Sequence, residues 1–209
     1  MKTEFRAKQP FVTGALISIN LVVWVIMELL GDTNDVEYML KCGASYLPYM
    51  TEYGEWYRLI TCMFLHFGAE HLINNMLILG LMGSRLEHTL GHIRFGILYL
   101  VSGLGGNLLS LIEETAVEDY AVSAGASGAV FGVVGGLLAW AVLNKGRVEG
   151  LSARGLLGMA ALSLYYGFSA SGIDNAGHIG GLVSGFLLGS LFAVISRFDF
   201  RKRNQYTIG

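Results

Sequence analysis

Charge is what this sequence has least of. Only 14% of its 209 residues are Asp, Glu, Lys or Arg, against roughly 25% in an ordinary soluble domain. The 14 basic and 16 acidic residues stand in clusters separated by long charge-free runs, too few to cover the surface of a water-soluble enzyme of this length. The soluble classes are excluded on that ground. Cysteine is almost missing as well. Cys42 and Cys62 form no disulfide framework, no Cys-x-x-Cys motif and no zinc site with a matching His pair, so both read as packing residues. A basic stripe with interleaved aromatics is absent, which argues against a nucleic-acid partner. Glu70 precedes His71 with no second histidine at the spacing a metalloprotease helix needs. No aspartate lies inside an apolar run to support an aspartyl mechanism.

What is present is apolar and small. Hydrophobic residues make up 53% of the chain and 29 positions are glycine, with a mean hydropathy of +0.53, the composition of a membrane protein. A bilayer span needs roughly 20 mostly apolar residues. The runs predict an all-α, polytopic membrane fold of six spans at about 11–29, 68–86, 93–112, 125–144, 154–173 and 176–196, within one membrane domain and without a separate soluble one. Six spans distribute the basic residues as the positive-inside rule requires. With a cytoplasmic N-terminus, Lys2, Arg6, Lys8, Arg85, Arg94, Lys145, Arg147, Arg154, Arg197, Arg201, Lys202 and Arg203 all face inward, and only Lys41 and Arg58 face out. The outer segments collect acids instead, Asp174 among them. Five or seven spans would spoil the alternation. The first run lacks a small-residue cleavage site and reads as a retained helix. Both termini are then cytoplasmic, and the small size and missing transit peptide favour a bacterial plasma membrane over a mitochondrial one.

The stretch from about Gly31 to Phe67 is long for a connection. Trp56, Tyr57, Phe64 and Phe67 suit the headgroup region, and Arg58 is expected to snorkel there. This first loop is therefore expected to dip into the membrane.

Polar side chains inside spans are costly, and each is a functional candidate. They are His71, Asn74 and Asn75 in the second span, Asn107 in the third, Ser123 and Ser127 in the fourth, and Asn175 and His178 in the sixth. Spans two, four and six run from outside to inside, so His71, Ser127 and His178 share one depth near the outer side. Counted as helix from Ala121, Ser127 would lie roughly 9 Å below the start of its run. The fourth span carries Gly128, Gly132, Gly135 and Gly136, and the sixth carries Gly177, Gly181, Gly185 and Gly189. Small residues let transmembrane backbones approach closely, and packing these stripes together would bring His178 to Ser127, the base and nucleophile of serine chemistry. Ser127 falls somewhat off the glycine stripe on an ideal wheel, so the pairing requires an irregular helix mouth at Gly125–Gly128. His71 and Asn75, four residues apart on one helix face, can donate to an oxyanion, with the backbone amides around Ser127 and Gly128 beside them. His66 reads as a structural histidine, and His88 and His92 read as solvated residues of an inner loop. Arg85 and Glu87 are placed to brace the inner end of the second span.

These residues resemble the rhomboid intramembrane serine proteases over nearly the whole chain. GASGAVFG (Gly125–Gly132) looks like the family's nucleophile motif and implies Ser127 as nucleophile. GHIGGLVSG (Gly177–Gly185) looks like its base-bearing helix and implies His178 as general base, with Gly181 and Gly185 as packing residues. HFGAEHLINN (His66–Asn75) is similar to the segment that implies His71 and Asn75 at the oxyanion. EWYR (Glu55–Arg58) resembles the Trp-Arg signature of the first loop, with Trp56 and Arg58 in supporting roles. The chain departs from the pattern at Gly177, where the family often has alanine, and at Phe131, where some members carry a tyrosine supporting the base. The resemblance implies cleavage of other proteins' transmembrane segments near their outer end, at helix-destabilising small residues, by a Ser-His dyad without metal or organic cofactor. It implies lateral substrate access with the fifth span and the loop before the sixth as the gate, and the lipid bilayer and membrane proteins as partners. A catalytically silent relative that only binds transmembrane helices is the competing reading. A transporter is disfavoured because the inner halves of spans four and six carry no polar path.

Overall fold

Inside a bilayer the backbone has no water to bond, so an apolar run satisfies its amides and carbonyls by coiling on itself. The computed structural model describes residues 9–169 and 172–206, with side chains through Ser196. Lys2, Arg6 and Lys8 and the side chains of Arg197, Arg201, Lys202 and Arg203 lie outside the described residues, as do positions 170 and 171 before the last helix. The chain is a polytopic helical membrane protein. Helix α1 (Phe11–Leu30) leads into the first loop, which is built from α2 (Val36–Cys42), α3 (Leu47–Tyr53), α4 (Arg58–Thr61) and a 3-10 turn at Cys62–Phe64. The next rod runs from α5 (Gly68–Ile78) through a π-helical turn at Leu79–Gly83 into α6 (Ser84–Leu90). Helices α7 (His92–Val117) and α8 (Ser127–Leu143) follow. Next come a small antiparallel ribbon, β1 (Arg147–Val148) and β2 (Leu151–Ser152), then α9 (Ala153–Ser169) and α10 (Asn175–Tyr206). By length and hydropathy α1, α7 and the Asn175–Ser196 part of α10 can each cross a membrane, and α8 is a shorter apolar helix.

Helix α8 is buried nearly all round, from Ala129 to Ala141, as expected of a helix that is apolar on every face. Helices α7 and α10 close on it through glycine. A Cβ on Gly181 would run into the carbonyl of Gly128, and one on Gly185 into the carbonyl of Gly132. A Cβ on Gly106 of α7 would lie 2.6 Å from the carbonyl of Gly177, and one on Gly180 would lie 2.6 Å from that of Gly105. Three backbones thus touch with nothing between them. Helix α1 lies at the rim, with Ile19, Val22, Val25, Ile26, Leu29 and Leu30 exposed for lipid. Helix α9 buries only Leu156, Ala160 and Gly167 and exposes Leu162, Tyr165, Tyr166 and Phe168.

The first loop is ordered by hydrogen bonds. Asp35 caps α2 by accepting from the Tyr38 amide, and the Tyr38 hydroxyl donates to the Met27 carbonyl of α1. Arg58 does not snorkel. It is 4% exposed, donates to the carbonyls of Leu40 and Ala44 at 2.8 Å each, and pairs with Glu55. The loop's backbone carbonyls offered this cation a better site than water did. Trp56 and Tyr57 are about half exposed, as interfacial rings should be.

At the opposite end, buried Glu87 closes a joint. Its carboxylate accepts from the Val12 and Thr13 amides at 2.8 Å each, from the Thr13 hydroxyl at 2.6 Å, and pairs with the His92 ring. It therefore caps α1 from 75 residues away. His92, read from sequence as a solvated loop residue, is a member of this joint. Burial by itself would raise the Glu87 carboxyl, but bonds from the Thr13 hydroxyl, His92 and the Thr13 and Val12 amides hold it below its usual value. A depressed carboxylate stabilises the fold above its unfolded pKa, and that contribution is lost as pH falls through the folded one. Glu87→Gln is expected to cost about 1.5–3 kcal/mol at pH 7, measured by unfolding in micelles, with the gap from wild type closing in acid.

Candidate functional site

Ser127 is the first residue of α8. The segment before it is extended rather than helical, so counting helical rise from Ala121 does not give the serine's depth. Three contacts hold this lead-in. Ser123 exchanges two backbone hydrogen bonds with Ser45 at 2.8 and 3.0 Å, and the Gly125 amide donates to the Cys62 carbonyl at 2.9 Å. The Ala126 amide donates to Nε2 of His66 at 3.3 Å. Gly125 has φ +150°, a backbone conformation that a side chain would strain, and this is the irregular mouth that the wheel argument required. Among the described residues no side chain caps α8, so the first-turn amides of Ser127 and Gly128 lack intrahelical acceptors.

His71 stands in the opening turns of α5. A Cβ on Gly125 would lie 2.9 Å from His71 Nε2 and 3.7 Å from Ser127 Oγ, so the imidazole and the hydroxyl flank the same glycine. Asn75, buried one turn further on, donates through Nδ2 to the His71 carbonyl at 3.1 Å. That leaves the second amide hydrogen for another acceptor. His178 lies on the first turn of α10 and stacks on Phe131, with ring centroids 4.3 Å apart and planes 10° from parallel. Phe131 is one turn beyond Ser127 on α8, so the stack sets the His178 ring along the serine's face of that helix. From α10 the Gly177 carbonyl approaches Gly128, and Gly181, one turn on, rests against the Gly128 carbonyl. His178 Nδ1 is buried with no partner, and no hydrogen bond joins Ser127 to His178 among the described residues.

The structure therefore gathers Gly125, Ser127, Gly128, His71, Phe131, His178 and Gly181. Asn75 joins them through the His71 backbone, and Gly185 packs one turn deeper against Gly132. Trp56 and Arg58 organise the first loop and lie apart from this cluster. Two further residues belong with the site. His66, fully buried, holds the amide before Ser127, and its ring meets His71 edge to face at 5.1 Å. Asp174 caps α10: Oδ1 accepts from the Gly177 amide at 2.6 Å. Its position, three residues before a glycine at the head of an apolar run, is a helix-start signal in the sequence. Nothing comparable marked His66. Among the described residues no group of three or more His, Cys, Asp or Glu side chains could hold a metal ion.

Comparison with known proteins gives the family. The rhomboid domain profile matches residues 53–195. The chain belongs to the rhomboid family. It is 34% identical over 205 residues to the rhomboid protease GluP of Bacillus subtilis, covering 97% of this chain and 39% of that protein. RHOMBOID-like protein 4 of Arabidopsis thaliana is 41% identical over 156 residues, 72% of this chain and 37% of the relative. The putative rhomboid protease YdcA of Bacillus subtilis is 36% identical over 138 residues, 66% of this chain and 68% of the relative. The chain spans less than half the length of GluP and of several Arabidopsis relatives.

In a rhomboid built this way the site depends on helix spacing. Gly181→Ala places a methyl against the Gly128 carbonyl and is expected to cost about 1–3 kcal/mol through overpacking. Gly14→Ala on α1, with nothing within 4 Å of the new Cβ, is expected to be neutral or stabilising by up to about 1 kcal/mol. Thermal unfolding of both variants in detergent micelles checks the contrast.

Proposed function

We propose that this chain is an intramembrane serine endopeptidase working with a Ser127-His178 dyad. The observation that carries the reading is the convergence of a helix-initial serine, a histidine stacked one turn away from it, and uncapped amides at the same point. Ser127 Oγ attacks the scissile carbonyl while His178 takes its proton. Negative charge on the carbonyl oxygen is met by the Ser127 and Gly128 amides, with His71 and the free amide hydrogen of Asn75 as further donors. His178 then gives the proton to the leaving amine, and water deacylates the serine through the same base. The Ser127–His178 hydrogen bond forms as substrate fills the site, since catalytic hydrogen bonds are commonly long or unaligned in the free enzyme.

The substrates in this reading are transmembrane segments of other proteins, cut near their outer end at helix-destabilising residues. Lateral access runs between α5 and α9. An apolar cleft lined by Ile78, Val130, Phe131, Met159 and Ala160 lies there, and α9, with three buried residues, is the helix most easily displaced. The name of the relative GluP, a rhomboid protease, supports the activity. The distribution of Lys and Arg supports cytoplasmic termini.

Purified protein in liposomes is expected to cut a single-span test substrate bearing a small-residue site near its outer end. Ser127→Ala and His178→Ala are expected to reduce cleavage to background with unfolding temperatures near wild type. Asn75→Ala is expected to lower kcat/KM by about 10²–10³, or about 2.7–4 kcal/mol. Substrate binding by wild type without cleavage would favour a silent rhomboid that only holds transmembrane helices.

A further inference from the structure

A general base is only as well placed as the backbone that carries it, and His178 sits where helices are loosest. The first turn of any helix leaves its amides without intrahelical acceptors. In α10 that deficit falls on the residues around His178, and one side chain fills it. Asp174 accepts the Gly177 amide on Oδ1 at 2.6 Å, and its main-chain carbonyl accepts the His178 amide at 3.1 Å. The other carboxylate oxygen, Oδ2, stands 3.5 Å from the Ser123 hydroxyl. Ser123 is the residue bridged to Ser45, four positions before Ser127. One carboxylate therefore touches the base's helix with one oxygen and the nucleophile's lead-in with the other. A Cβ on Gly177 would lie 2.5 to 3.0 Å from this carboxylate, so the glycine before His178 clears the space the cap occupies.

Asp174 faces buried Glu114 of α7, a like charge, the Cys62 thiol of the first loop, and the imidazole of His178 itself. Its cap and its charge are separable, because asparagine keeps the first and removes the second.

We propose that Asp174 is a positioning residue for proton transfer, fixing the height of the His178 ring on α10 and its register against the strand that delivers Ser127. This deepens the serine endopeptidase reading and rests on it for its kinetic consequence. The two claims separate in one experiment. Wild type, Asp174→Ala and Asp174→Asn are compared, because asparagine caps a helix about as well as aspartate and alanine does not. Cleavage in liposomes is read as kcat and KM. The position of the His178 ring is read independently of activity in micelles, from the upfield shift that stacking on Phe131 gives the His178 ring protons.

Asp174→Ala is expected to lose about tenfold or more in kcat with KM little changed, and to lose most of the ring shift. Asp174→Asn is expected to restore both to within about threefold and to near the wild-type shift. Wild-type kcat and ring shift in Asp174→Ala would overturn the proposal. So would an asparagine variant as impaired as alanine, which would assign the effect to charge and not to the cap. If wild type does not cleave at all, the protease reading falls, and the ring shift alone decides whether Asp174 positions His178. Should the alanine variant fail to fold, the asparagine variant decides by the same two readouts.

Discussion

The contact between two bare backbones, α8 and α10, is the constraint on which the rest of this protein depends. Where Gly128 meets Gly181 and Gly132 meets Gly185, no side chain separates the helices, and dispersion at short range replaces the hydrophobic effect that lipid cannot supply. A histidine at the top of one helix can then share a face with a serine at the top of the other. A side chain at Gly181 or Gly185 would meet the opposing backbone and widen the gap before altering the chemistry. Gly105 and Gly106 of α7 close on the same helices from a third direction.

Much of this was legible because lipid makes sequence patterns blunt. Apolar runs reported helices, and four-residue glycine spacing reported which two helices touch. His71, Ser127 and His178 stood out because polar groups in spans are expensive, and the structure gathers them at one place. Each of those residues stands against its surroundings in a way a single sequence can display.

What stayed hidden was contact between elements far apart in sequence. Arg58 looked like a cation for the headgroups, yet the carbonyls of Leu40 and Ala44 receive it inside the loop. His92 looked solvated, yet Glu87 claims it. His66 holds the amide before Ser127 across 60 residues, and no local spacing announces such a bond. The helical count from Ala121 went astray because Ser123 pairs with Ser45 and Gly125 with Cys62, drawing the lead-in out as extended chain. For Arg58, His66 and the lead-in to Ser127 a distant backbone group competed with local preference and won, and for His92 a buried carboxylate five residues away did.

The Glu87 joint has a temporal consequence. Its donors, Val12 and Thr13, are synthesised ahead of the acceptor and the neighbouring His92, which arrive some 75 residues later. A chain emerging from its N-terminus must therefore leave α1 with unanswered amides until the following rod is in place. The last bonds to the opening turn of α1 are therefore made by a carboxylate that follows the helix by a whole rod, so this joint closes only after both elements have been made.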